Sequence, residues 1–270
     1  MKQVFYHAGC NDGTTAASIV LHTREWRDAK AIPVKYGEQP PSTTSGDEIM
    51  IVDFSYPRPI LETINRLAKS LVVLDHHQTA EAELKDLPFC RFEKDKCGAM
   101  MTWDFFTLSS KHPPHGLEMI QDRDLWTKRW PEETEAFTAG LGLLENKPGE
   151  NWYRAVMENW HETTERGKVA VEVKRRQIER LIPNAVPAQW RGERIGVSLN
   201  SPVHQSDLGE ELLKLHPQAD YALIWYVDGE DRKVSLRSRN GGPVDVSEMA
   251  KQHGGGGHKH AAGYTIKGGG

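Results

Sequence analysis

The chain has 270 residues, of which 38% are hydrophobic and 27% charged, with a net charge of -4 and a pI near 6.3. This is an ordinary globular composition, long enough for two modest domains. It excludes a membrane-spanning helix, which needs an apolar run of ~20 residues, and it lacks the overall basic footprint of a protein that binds long duplex DNA, so any phosphate recognition must be local.

Met1 to Tyr6 runs straight into a predicted strand without the basic and apolar regions of a signal peptide, which predicts a cytoplasmic protein. Val4-Phe5-Tyr6 leads into His7-Ala8-Gly9-Cys10-Asn11-Asp12-Gly13, and Ala16, Ala17, Ile19, Val20 and Trp26 predict a helix from Thr14 to Trp26. Asn11 or Asp12 can cap that helix, and a carboxylate on this loop would also face the ends of neighbouring strands. A strand is predicted over Ala31 to Tyr36 and a loop over Gln39 to Gly46. Ile49-Met50-Ile51-Val52 then runs into Asp53, and Pro57 precedes Ile60, Leu61, Ile64, Leu67 and Ala68 at helical spacing. Leu71-Val72-Val73-Leu74 ends in Asp75-His76-His77. Strand, helix and strand alternate, which predicts a parallel sheet covered on both faces, with ligands gathered outside the carboxyl ends of its strands. Three apolar runs that each end in acids or imidazoles point to a metal site there.

From Gly98 the pattern turns helical, with helices expected over Ala99 to Ser109 and Gly116 to Trp126. The second contains Asp122-Arg123-Asp124, and acids two residues apart on a helix point in different directions, so only one of them can face a site. Trp152, Val156, Trp160, Val169, Val173, Ile178 and Leu181 predict one or two long helices joining two domains, broken by Pro183 and Pro187. The expected division is residues 1-150, a helical linker 151-187 and a second α/β unit 188-270. That unit reads as strand 194-199, helix 207-215, strands 221-227 and 233-238, helix 246-252 and a last strand near 264-266. Gly254 to Gly257 lie inside it, followed by His258 and Lys259. Glycine amides can approach an anion closely while these two side chains add charge, which predicts a phosphate cradle.

Asp75-His76-His77 and Gly254 to Gly263, in this order and separation, with acids ending the earlier strands, resemble the DHH phosphoesterase family with a C-terminal DHHA1 domain. The resemblance covers nearly the whole chain. It implies an α/β protein of two domains, an N-terminal parallel-sheet DHH domain and a smaller C-terminal α/β DHHA1 domain, with the active site in the cleft between them. It also implies two divalent ions, usually Mn²⁺, with Mg²⁺, Co²⁺ or Zn²⁺ as substitutes. Carried over by position, His7, Asp12, Asp53 and His76 would be metal ligands, with Asp75 and His77 supporting or completing the catalytic site. Asp122, or less favourably Asp124, would supply a further carboxylate. Gly256, Gly257 and His258, with Arg237 and Lys259, would hold a substrate phosphate.

Cys10 stands where relatives often have a carboxylate. A thiolate there would favour zinc, a neutral thiol would leave the position to water, and a small packed residue is an equal reading. Cys10, Cys90 and Cys97 form no CxxC pair, so reduced thiols are expected rather than a disulfide framework or a zinc knuckle. The expected activity is two-metal hydrolysis of a short single-stranded oligonucleotide, a dinucleotide or a cyclic dinucleotide, with no membrane or long-duplex partner and with a homodimer left open. A phosphoanhydride hydrolase acting on pyrophosphate or polyphosphate is the alternative enzyme, and an inactive nucleotide-binding sensor is the alternative of another class.

Overall fold

The computed structural model describes residues 1-108, 111-190 and 194-268. The expected helix end at Ser109 and the tail Gly269-Gly270 lie outside these residues. Two compact units, Met1–Val171 and Glu172–Gly270, make up the chain.

The first unit contains β1 (Lys2–His7), α1 (Asn11–His22), β2 (Lys30–Val34), β3 (Glu48–Val52), α2 (Arg58–Leu67), β4 (Ser70–Asp75), α3 (Gln78–Leu84) and β5 (Cys90–Phe92). Helices α4 (Gly98–Thr107), α5 (His115–Asp124), α6 (Pro131–Leu141), α7 (Glu150–Met157) and α8 (Trp160–Leu181) follow, α8 running on into the second unit. The five strands pair in parallel in the order β2-β1-β3-β4-β5. Alternate residues of the central strands enter opposite cores, as the two-residue period of a strand requires. Val4, Tyr6, Met50, Val52 and Leu74 pack with residues of α1, α4, α5 and α7. Phe5, Ile49, Ile51 and Val73 pack on the other side with Leu61 and Ile64 of α2 and Leu84 of α3. Burial on both faces explains why these strands are nearly continuous apolar runs.

Helix α1 stops at His22, short of Trp26, and β2 stops at Val34, short of Tyr36. Pro33 sits within β2 at the sheet edge, where a missing N–H breaks no second ladder. Helices α3 and α6 and the three-residue β5 carry too little pattern to be expected. The segment expected as a linker is mostly part of the first unit: Trp152 and Val156 of α7 are in its core, and Gly167 of α8 packs against the backbone of Ala136. The division falls within α8 rather than at Pro183 and Pro187.

After the short turn Ile182–Asn184, the second unit contains β6 (Val186–Trp190), β7 (Arg194–Asn200), α9 (Gln205–Leu215), β8 (Tyr221–Asp228), β9 (Asp231–Ser238), α10 (Val246–Lys251), β10 (Gly256–His258) and β11 (Ala261–Ile266). They form a mixed sheet in the order β10-β11-β9-β8-β7-β6, antiparallel except for β7 with β8. Helix α9 closes a core with Val197, Leu199, Ala222 and Ile224, and α10 closes the opposite one with Tyr221, Val234, Leu236 and Ala262. Among the described residues no helix is long and apolar enough to cross a membrane.

Candidate active site

The chain leaves β1 for β2 on one side and returns for β3 on the other, so the strand order reverses between β1 and β3. Such a switch point opens a crevice at the carboxyl ends of the strands. His7 closes β1, Asp53 follows β3, and Asp75 closes β4, so adjacent strands deliver all three to this crevice. Asp53 adopts φ 54, a left-handed conformation costly for a residue with a Cβ. Its amide is held by the Leu74 carbonyl at 2.9 Å, and its Cβ lies where any side chain on Gly98 would collide, at 2.6 Å. Gly98 is therefore a structural requirement of the site that the sequence pattern did not single out.

Three overlapping groups of ligand atoms gather here: His7, Cys10 and Asp53; Asp12, His76 and Asp124; and Asp53, Asp75, His76 and His77, each within 4.8 Å. His76 is central, its Nε2 lying 3.2 Å from Asp53 Oδ1, 3.5 Å from Asp124 Oδ2 and 3.8 Å from Asp12 Oδ2. Asp12 does not cap its own helix, whose N-cap position is Cys10 without a side-chain bond. Its two oxygens instead accept from the amides of Gly98 at 2.6 Å and Ala99 at 2.8 Å, the free N–H groups opening α4.

Electrostatics here follow from crowding. Burial, then the charges of Asp53 and Asp124, push the Asp12 carboxyl well above its usual range. Burial also opposes ionisation of Asp53, but His7 and His76 outweigh it and hold its pKa low. His76 is raised because Asp53, Asp12 and Asp124 together overcome its desolvation. Asp53 Oδ2 is buried, 3.6 Å from His7 Nδ1, and accepts no hydrogen bond. Three crowded carboxylates around an imidazole and an orphaned carboxylate oxygen are what hard or borderline divalent cations satisfy. The residues present therefore fit the metal pair.

Asp75 and His77 play a different part. The fully buried Asp75 accepts from the His76 amide at 2.8 Å and from Ser55 Oγ at 2.5 Å, while its Oδ1 lies 2.6 Å from His77 Nδ1. That bond raises the His77 pKa and fixes the ring with Nδ1 engaged.

Asp122, expected as the further ligand, is absent from these groups. It is 4% exposed and accepts from Thr127 Oγ1 at 2.5 Å, Arg129 N at 2.7 Å, Trp130 N at 3.4 Å and Thr134 Oγ1 at 2.6 Å. Burial disfavours its charge, yet these bonds prevail and bring its pKa to about 2. Asp122 thus anchors the start of α6, and Asp124, two residues on, turns towards His76. No local pattern points to this, since the amides that Asp122 holds, those of Arg129 and Trp130, precede α6, and the Thr134 hydroxyl lies within its first turn. Cys10 does join His7 and Asp53, but burial, Asp53 and Asp12 push its thiol up to about 12, so with these neighbours alone it is neutral.

In the second unit the glycine run is divided. The amides of Gly254 and Gly255 bond to carbonyls of Lys251 and Ala250 and close α10, whereas Gly256 to His258 form the edge strand β10 rather than a loop. Gly257 has φ +142, and a Cβ there would meet the Ala261 carbonyl oxygen at 2.5 Å, so the tight β10-β11 approach excludes other residues. Register puts Arg237, Ala261 and His258 in one row across β9, β11 and β10, hence on one face. On that face Arg237 donates to Ser206 Oγ at 2.5 Å, and its stem crosses Gly209 of α9, where a Cβ would sit 2.7 Å away. A pocket of about 710 Å³ is lined by Ser206, Tyr226, Lys233, Ser235, Gly255 and Lys267, among others. His258 and Lys259 are exposed beyond it and do not line it.

Over 293 aligned residues the chain is 30% identical to uncharacterized protein R106 of Acanthamoeba polyphaga mimivirus, covering 98% of this chain and 67% of that protein. Its fold is similar to that of the pGpG-specific phosphodiesterase PggH from Vibrio cholerae, with a TM-score of 0.55 at 17% identity over 98% of this chain and 93% of that one. It is similar too to exonuclease RecJ bound to manganese, with a TM-score of 0.53 at 15% identity over 98% and 86%. Residues 193–269 match the DHHA1 domain. With Asp75-His76-His77 at the end of a parallel strand and a DHHA1 domain later in the sequence, the chain belongs to the DHH phosphoesterase family with a C-terminal DHHA1 domain.

Proposed function

We propose that the protein is a cytoplasmic, Mn²⁺-dependent phosphodiesterase that hydrolyses short oligonucleotides, dinucleotides or cyclic dinucleotides. The observation that carries this reading is the crowding of Asp12, Asp53 and Asp124 around His76, with Asp53 Oδ2 buried and unbonded. His7, Asp12, Asp53, His76 and Asp124 would hold the two ions, Asp53 being shared by two of the three groups of ligand atoms and His76 by two. Such a pair supplies Lewis-acid activation of water and neutralises charge on the phosphoryl oxygens.

The chain's own residues supply the rest. Asp75, which accepts from Ser55 and a backbone amide, holds His77 by Nδ1, so the imidazolium form carries its other proton on Nε2. That proton can pass to the departing alkoxide, which leaves as an alcohol. Arg237 and His258, on one face of the second unit, suit a phosphate that does not react. Tyr226 beside the basic Lys233 and Lys267 favours a nucleoside over a bare polyphosphate. PggH and RecJ, similar in fold, act on nucleotide substrates by their names, which agrees with this choice.

A panel of short RNA, short DNA, cyclic dinucleotides, bisphosphonucleotides and polyphosphate, each with Mn²⁺, Mg²⁺, Co²⁺ and Zn²⁺, tests the reading. Diester cleavage fastest with Mn²⁺ is the expected result. Turnover confined to polyphosphate or pyrophosphate would replace it with a phosphoanhydride hydrolase. Nucleotide binding without turnover in any metal would mark an inactive sensor.

A further inference from the structure

One aromatic ring stands at the metal centre without a part in the chemistry above. Tyr36 follows β2 by two residues, and Val34 at the end of that strand pairs in register with His7. It occupies the tip of a tight turn closed by the Glu38 amide on the Lys35 carbonyl at 3.2 Å, with Gly37 at φ +85, a conformation that suits glycine. The Tyr36 ring lies 5.5 Å from that of His7 and 6.1 Å from that of His77, edge to face in both cases. Phe54, next to Asp53 and fully buried, supports it at 4.6 Å and is itself braced by Tyr56 at 4.8 Å. Yet Tyr36 remains 56% exposed. Single exposed aromatics are ordinary on protein surfaces. This one is fixed from below by a buried aromatic pair and stands beside two of the three imidazoles of the centre, His7 and His77.

We infer that Tyr36 is a specificity-determining residue, whose exposed ring face stacks on the nucleobase next to the scissile phosphate. The inference rests on the nucleotide reading above and narrows it: a substrate without a base on that side forgoes the contact, and one with a purine gains most. Base-aromatic stacking tolerates any base, since each offers a π face, and its loss commonly costs tenfold or more in affinity.

Calorimetric titration of the Mn²⁺-loaded protein with GMP and with ribose 5-phosphate tests this independently of turnover. The parent should bind GMP about tenfold or more tighter than ribose 5-phosphate. Tyr36→Leu, which keeps apolar packing on Phe54 but removes the π face, should bring the two affinities to within about threefold, while Tyr36→Phe and Tyr36→Trp should keep the preference. Metal content should be unchanged in all three. Equal binding of the two ligands by the parent, or a full GMP preference in Tyr36→Leu, would overturn the inference. If the parent cleaves no phosphodiester but the preference is present and disappears only in Tyr36→Leu, the stacking role stands and the assigned reaction fails.

Discussion

Asp12, Asp53 and Asp75 are each at most 1% exposed, whereas Gly256, Gly257, His258 and Lys259 in the second unit all lie open to solvent. Burial forces the first set to interact: each carboxylate shifts its neighbours' protonation, and a cation of higher charge would relieve the conflict. The second set is a backbone edge with two exposed polar side chains, whose groups contribute separately and modestly. A buried, coupled centre and an open, additive face should therefore respond to mutation on different scales.

The largest effect is expected at the most coupled residue. Asp53→Ala should lower kcat by about a thousandfold or more, the several kcal/mol that Lewis-acid stabilisation supplies, and should lose bound metal while retaining its circular dichroism. Substantial turnover with two ions still bound would show that the centre is less coupled than its geometry implies.

Asp122 and Asp124 sharpen the same contrast within one helix. Asp122→Ala strands the donors of Thr127, Arg129 and Thr134 and should cost about 3 kcal/mol of stability in urea unfolding. Asp124→Asn should leave the urea midpoint of the metal-free protein unchanged or raised, because it thins a like-charged cluster, while weakening metal binding. The pH dependence has a definite sign. The folded pKa of Asp122, about 2, lies below its ordinary 3.8, so its stabilisation is complete above that value and disappears as pH falls through the folded one. Asp122→Asn should lack this part of the acid-induced loss between pH 5 and 2, measured by urea midpoints. An unchanged slope would remove Asp122 from its structural role.

Between the units, His258→Ala should keep its full metal content and raise KM. The loss of one charge-assisted hydrogen bond should cost about 1.5 to 3 kcal/mol, or ten- to over a hundredfold in kcat/KM. His76→Ala should instead lower metal occupancy, read by elemental analysis. Equal metal loss in both variants would dissolve the division of labour.

The smallest effect is expected at Cys10. Its thiol is neutral among these acids, so Cys10→Ser should stay within about threefold of the parent activity in Mn²⁺. Loss of one metal ion from that variant would make Cys10 an obligatory ligand.

The amino-acid sequence by itself determined the alternating strand and helix pattern of this protein: apolar runs long enough for buried strands, helical spacing between them, and acids or imidazoles where those runs stop. Because a parallel strand ends where its apolar run ends, His7, Asp53 and Asp75 could be expected at one edge without any coordinates. Asp12 and His76 also joined the cluster, but that Asp12 bonds the amides opening α4 was not legible, since 86 residues separate it from Gly98. Only the tertiary structure shows that Asp124, and not Asp122, turns towards His76. Helical periodicity says that they diverge, but which one is claimed by the start of α6 depends on where a later segment packs. The same holds for Tyr36 and Gly98, whose parts depend on what stands next to them, and for the glycine run, where strand pairing took Gly256 to His258 into an edge strand. Local pattern fixes which way a side chain leaves its own element; the neighbour it then meets is set by the packing of the whole unit.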